Sequence, residues 1–187
     1  MKFIYIVGPP AVGKMTVGQS LSRATGLKLF HNHMVMDLIG EFFEPFTDPE
    51  WGRLSQMFIE EILTSLAKSN MDGLIFTSVY NFAKSGRFDY SNRLVDIFAS
   101  RGVDIYLVEL EADLGARVER NKSPHRLAHK PSKRDVTKTE PGLSDTLTGE
   151  RRNSIDGEIG IENYIRINNT NIEPDAAAEM IVRKFCL

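Results

Sequence analysis

Residues 8–16 read Gly8-Pro9-Pro10-Ala11-Val12-Gly13-Lys14-Met15-Thr16. An apolar, β-prone run, Phe3-Ile4-Tyr5-Ile6-Val7, leads into them, and a helical pattern carrying Val17, Leu21 and Ala24 follows directly. Strand, glycine loop, Gly-Lys and helix is the arrangement that cradles the phosphates of a nucleotide. Glycines let successive backbone N–H groups turn inward and leave room for phosphate oxygens. The loop opens onto a helix N-terminus, where unpaired N–H groups and the helix dipole favour an anion. Lys14 adds a mobile positive charge near the outer phosphates. Gly8, Ala11, Val12, Gly13, Lys14, Met15 and Thr16 are therefore the candidate phosphate contacts. A tight strand-to-helix turn that merely contains Gly-Lys is the alternative, and the matching strand and helix on either side argue against it.

One position departs from the pattern. The residue after the lysine is usually Ser or Thr, whose hydroxyl holds Mg²⁺; here it is Met15. A thioether is a soft ligand, and Mg²⁺ prefers hard oxygens. Thr16 lies one residue on, about 100° further round the helix. It can reach an inner phosphate but is poorly placed to take over the ion, so the metal ligands stay unassigned.

The 187 residues suffice for one domain with a sizeable core, and 1–187 is read as one unit. The net charge of −2 rules out a chain that binds polyanions along its whole length. A single cysteine, Cys186, excludes an internal disulfide and fits a reducing cytoplasm, the expected location. The first strand lacks the flanks of a signal peptide, and no run approaches the ~20 apolar residues of a membrane span.

Strand patterns fall at 2–7, 27–30, 73–79, 104–110 and 163–167. Helical patterns separate them, at about 14–25, 33–43, from Asp48-Pro49-Glu50 through Leu66, 89–100, from near Asp113, 144–157 and 174–185. This alternation predicts an α/β fold of three layers, a parallel sheet with helices on both faces. Ligands in such sheets bind beyond the carboxyl ends of the strands. The informative positions are then 8–16, 31–37, 80–87, 111–138 and 168–171.

After the second strand comes His31-Asn32-His33, with Asp37 a helical turn further on. Two histidines two apart can face one side and share a metal, but they are fewer ligands than zinc takes. Contact with a substrate or with water near phosphate is the alternative, and a capped loop without chemistry is a third. The third strand ends in hydroxyls and an amide, Thr77-Ser78-Val79-Tyr80-Asn81, with no carboxylate to hold a metal's water shell. Asp37, Asp89 and Glu109 are the nearest acids. Arg87, in a glycine-containing loop, is a candidate for an acceptor's anionic group. Residues 117–138 hold eight basic side chains against Glu119 and Asp135, a net +6 that leaves −8 on the rest of the chain. Pro124 and Pro131 prevent one long helix there. The segment is either a solvated basic loop or a flap that closes over phosphates, with Arg117 and Arg120 on one helical face and Arg126 behind them. It has no aromatic residue to stack on a base, which argues against nucleic acid.

The chain resembles the P-loop small-molecule kinases, the group of shikimate, gluconate and adenylate kinase. The resemblance rests on residues 8–14 after the first strand, the loop after the second, the basic segment and the closing stretch Ile165 to Asp175 with its helix. It implies a five-stranded parallel sheet in the order 2-3-1-4-5, ATP on the loop, and Mg²⁺. It also implies a small-molecule acceptor at a helical region of about 31–70 and a lid at about 117–140. By position, Lys14, Arg117, Arg120 and Arg126 become the catalytic candidates. Asn169 and Thr170 lie near the adenine, and His31, His33, Asp37 and Arg87 near the acceptor. His31-Asn32-His33 stands where shikimate kinase has an Asp-containing motif. The functional expectation is ATP-dependent phosphoryl transfer. The alternatives are a nucleotide-binding or ATPase module with weak turnover, favoured by Met15, and a kinase acting on RNA or nucleotide ends.

Overall fold

Five consecutive apolar residues form the central strand because both of its faces are covered. This strand, β1 (Lys2–Val7), has Phe3 to Val7 fully buried. The computed structural model describes residues 1–82, 90–144 and 151–187. Its sheet adds β2 (Lys28–His31), β3 (Gly73–Thr77), β4 (Asp104–Glu111) and β5 (Tyr164–Asn168) in the order β2-β3-β1-β4-β5. All four pairings are parallel, as the alternating pattern requires.

The side chains of β1 alternate between two cores. Phe3, Tyr5 and Val7 enter one with Trp51, Ile59, Leu63, Phe76, Leu94 and Phe98, and the rings of Phe3 and Phe98 stack at 3.9 Å. This face is covered by α3 (Pro49–Ala67) and α4 (Tyr90–Ala99). Ile4 and Ile6 enter the other core with Val17, Leu21, Val108, Leu110, Ala178 and Ile181. That face is covered by α1 (Lys14–Thr25) and by the terminal helix α8 (Pro174–Phe185). A short α2 (His33–Gly40) follows β2. Asp48 caps α3 by accepting from the Glu50 amide at 2.8 Å, and Pro49 sits in the first turn, where a missing N–H costs nothing.

After β4 come α5 (Leu114–Asn121), α6 (Pro124–His129), a 3₁₀ turn at Pro131–Lys133, α7 (Val136–Thr139) and a second 3₁₀ turn at Pro141–Leu143. The prolines split the basic segment as the sequence required. Ser123 caps α6 by accepting from the Arg126 amide. The helix expected at 144–157 is absent from Ser144 and from 151–157; residues 145–150 lie outside the described set. The polar groups of 151–154 are used to strap this segment to the sheet. Asn153 Nδ2, the Ser154 amide and Ser154 Oγ all donate to the fully buried Glu109 carboxylate, at 2.6–2.8 Å.

Candidate functional site

The phosphate loop is shaped by its main chain. Gly8 has φ +138°, and a Cβ there would lie 2.3 Å from the Leu110 carbonyl oxygen. Ala11 (φ +60°) and Gly13 (φ +104°) also take left-handed conformations. Gly13 is the N-cap of α1 and offers no side chain to the first amides of the helix, which stay available to an anion. Lys14 arches back over the loop, donating to the Gly8 carbonyl at 2.7 Å and the Pro9 carbonyl at 2.8 Å. Burial, and then the cations Lys130, Arg126, Arg152 and Arg117, hold its ammonium well below the usual lysine value. Met15 is buried, and Thr16 Oγ1 donates to the Gly13 carbonyl at 2.8 Å.

The turn after β5 locks onto this loop. Asn169 Nδ2 donates to the Val12 carbonyl at 2.9 Å. The Arg120 guanidinium donates to the same carbonyl at 3.1 Å, to the Asn169 carbonyl at 2.7 Å and to the Thr170 carbonyl at 3.1 Å. Thr170 Oγ1 donates to Asn168 Oδ1 at 2.8 Å and accepts from the Asp113 amide at 3.0 Å. Between the loop, this turn and α6 lies a chamber of about 560 Å³, which residues 11–16, Arg120, Asn169 and Thr170 all line. Eight of the phosphate and base candidates thus meet in one cavity: Ala11, Val12, Gly13, Lys14, Met15, Thr16, Asn169 and Thr170. Gly8 lies beneath, shaping the turn.

A second chamber, of about 760 Å³, opens on the other side of Lys14, between α2, α3, the end of β3 and the basic segment from α6 to α7. Ala11, Lys14, Arg126 and Lys130 line both chambers. This partition is cationic. Burial pushes Lys130 down to about 7 and Lys133 to about 8, each with help from Arg126, and burial lowers Arg126 as well. Arg126 Nε is buried with no hydrogen-bond partner among the described residues. Arg152, which the sequence reading passed over, is buried, lines the second chamber and is among the charges that lower Lys14. Its place follows from the Glu109 strap, which joins residues over forty apart in sequence and leaves no local signal.

His33 lines the second chamber. Its Nδ1 lies 3.6 Å from Asp37, and burial drives its pKa down to about 3, so the ring is neutral at ordinary pH. Asp37 is turned toward the 3₁₀ turn at Pro131–Lys133 instead, accepting from the amide and the hydroxyl of Ser132. Those bonds and the one from His33 hold its carboxyl below the usual value against the opposing effect of burial. His31 lines neither chamber, and burial lowers it to about 4. No group of three or more His, Cys, Asp or Glu able to hold a metal occurs among the described residues. Arg117 is also away from both cavities: buried, it donates to the Ala112 carbonyl at 3.2 Å and to the Leu143 carbonyl at 2.7 Å. Arg87 lies outside the described residues. No described helix is long and apolar enough to cross a membrane.

No family model and no curated protein sequence matches the chain. Solved structures do. A candidate kinase from Chloroflexus aurantiacus is 17% identical, with 98% of this chain and 97% of that one covered at a TM-score of 0.68. The tunicamycin resistance protein of Deinococcus radiodurans is 19% identical, covering 100% and 96% at 0.61. The APS kinase CysC of Mycobacterium tuberculosis is 11% identical, covering 100% and 98% at 0.61. Together with a phosphate loop on the central strand of a parallel 2-3-1-4-5 sheet, these likenesses give the chain the fold of the P-loop small-molecule kinases.

Proposed function

We propose that the chain transfers the terminal phosphate of ATP to a hydroxyl of a small molecule. One observation carries this: two chambers meet at a partition built from Lys14, Arg126 and Lys130. Phosphoryl transfer needs such a partition, with donor and acceptor in line on either side and positive charge at the middle.

In this reading the base lies toward Asn169, Thr170 and Arg120, and the loop amides take the inner phosphates. The acceptor oxygen approaches the γ-phosphorus from the second chamber. A new O–P bond forms as the bond to the β,γ-bridging oxygen breaks, ADP leaves, and the acceptor proton is lost. Lys14, Arg126 and Lys130 offset charge spreading over the three equatorial oxygens, and burial strengthens them by excluding water. Neutral His33 can take the proton, and Asp37 at 3.6 Å would steady the imidazolium. Arg120 positions the loop through the Val12 carbonyl, and Arg117 does the same for the lid through Leu143.

ATP commonly arrives with Mg²⁺, which supplies further positive charge at the phosphates. The residues present do not fit a metal site of their own. Met15 offers sulfur, Thr16 spends its hydroxyl on Gly13, and no acidic cluster stands by among the described residues. Met15 also favours a second reading, a nucleotide-binding module with weak turnover. A cytoplasmic setting, where ATP is held, goes with either.

The test is ADP release measured with and without a panel of hydroxyl compounds. Stimulation by an acceptor, with phosphate recovered on it, supports transfer. Mg²⁺-independent nucleotide binding with negligible turnover selects the second reading.

A further inference from the structure

The acceptor chamber has a composition of its own. On the side away from the lysines and arginines, its apolar lining is Met36, Phe46, Trp51, Ile59, Phe76 and Tyr90. Phe46 stands at the rim, 55% exposed, in a left-handed backbone conformation (φ +69°) that costs free energy and persists only where surroundings impose it. Its ring lies 4.6 Å from that of Trp51, and the Lys133 ammonium sits 3.8 Å from its centre. Trp51 is fixed in turn by donating from Nε1 to the Met36 carbonyl at 3.0 Å.

Set into these walls are polar atoms without partners. Ser55 Oγ and Tyr90 OH are buried and make no hydrogen bond among the described residues. Ser55 is more than nine-tenths buried as a whole residue. Buried polar groups are nearly always satisfied, because one left alone loses its water without replacement. Two on one cavity mark a place where a ligand completes the bonding.

A polyol or sugar acid would satisfy the hydroxyls and the cations but offers the aromatic wall only C–H groups. A wholly apolar ligand would fill the wall and leave the hydroxyls unpaired. A molecule with both characters makes use of the whole lining.

We propose that the acceptor is an alcohol carrying an aromatic or comparably apolar ring system. The ring is seated against Trp51 and Phe46, and Ser55 and Tyr90 bond its polar substituents. This rests on reading the second chamber as the acceptor site. It names two specificity residues, Ser55 and Tyr90, that stand apart from the phosphate machinery.

Trp51 is the chain's one tryptophan, so its emission reports this chamber without any need for turnover. The nucleotide chamber is first saturated with a non-hydrolysable ATP analogue. The protein is then titrated with uridine, adenosine and 2-(4-hydroxyphenyl)ethanol, and separately with erythritol, glycerol and gluconate, with emission excited at 295 nm. A saturable change with a ring-bearing alcohol and none with the ring-free set is the expected result. Ser55→Ala and Tyr90→Phe should each weaken that binding about tenfold, the worth of one buried hydrogen bond. Saturation by the ring-free set alone, silence across the whole panel, or indifference to both substitutions overturns the proposal. The kinase reading fails differently: ring binding without ATP-dependent phosphorylation of the bound alcohol breaks transfer, whereas phosphorylation of gluconate keeps transfer and breaks the ring.

Discussion

The two chambers share a wall and are made in different ways. The chamber proposed for the nucleotide is drawn largely in main chain: positive φ at Ala11 and Gly13, free amides at the start of α1, and carbonyls of Val12, Asn169 and Thr170 gathered by Arg120. The chamber proposed for the acceptor is drawn in side chains, from α2, α3, the end of β3, the start of α4, the basic segment and the strap at Arg152. A main-chain site suits what all nucleotides have in common. A side-chain site selects its ligand residue by residue.

The most severe break of the contrast is at the wall itself. Lys14→Ala should lower acceptor-dependent ADP release by roughly 10²–10³-fold, the cost of one preorganised charge donor. The melting temperature should hold or rise, because a desolvated cation is being removed. Wild-type turnover would undo the assignment of the loop. Next, Gly8→Ala should cost about 3 kcal/mol in urea unfolding, since the new methyl meets the Leu110 carbonyl at 2.3 Å in a conformation that L-residues avoid. If stability is unchanged, the close approach of loop and β4 is not real.

The lid should give smaller numbers. Asp37→Ala removes the acceptor for Ser132 and should loosen the 3₁₀ turn by about 1 kcal/mol. Limited proteolysis between 124 and 140 should speed up several-fold; equal rates would mean that α2 does not hold the lid. The partition should also titrate. Lys130 lies at about 7 and Lys133 at about 8, both lowered chiefly by burial. Between those values and the ordinary lysine value of 10.5 the unfolded chain binds more protons, so stability rises with pH across that window. A bound triphosphate favours the charged forms. ATP binding at pH 8 should therefore take up on the order of one proton, seen by calorimetry in buffers of different ionisation enthalpy. Lys130→Met should reduce the uptake, and proton release instead would reverse the argument.

The same contrast governs what could be read in advance. The phosphate loop is nine consecutive residues, because a main-chain cradle needs its glycines at fixed local spacing. The sheet was legible too, because strands buried on both faces are unbroken apolar runs such as Phe3 to Val7. Arg117 and Arg120 were paired by helical spacing, yet spacing fixes direction and not depth. Arg117 turns into the Ala112 and Leu143 carbonyls while Arg120 reaches the loop. His31 and His33 were treated alike, yet only His33 reaches a cavity. Trp51, Ser55, Tyr90 and Arg152 come from distant stretches that have no pattern in common, and only tertiary structure brings them together.

On α3, Trp51, Ser55 and Ile59 recur every fourth residue and so form one ridge facing the cavity. That ridge stands on a different element from Lys14 and the glycine turn, and Trp51 and Ile59 also fill the core beneath it. On the proposed reading, a new cargo calls for changes along a single helical edge that keep the core filled, while the loop assigned to the triphosphate lies elsewhere in the chain.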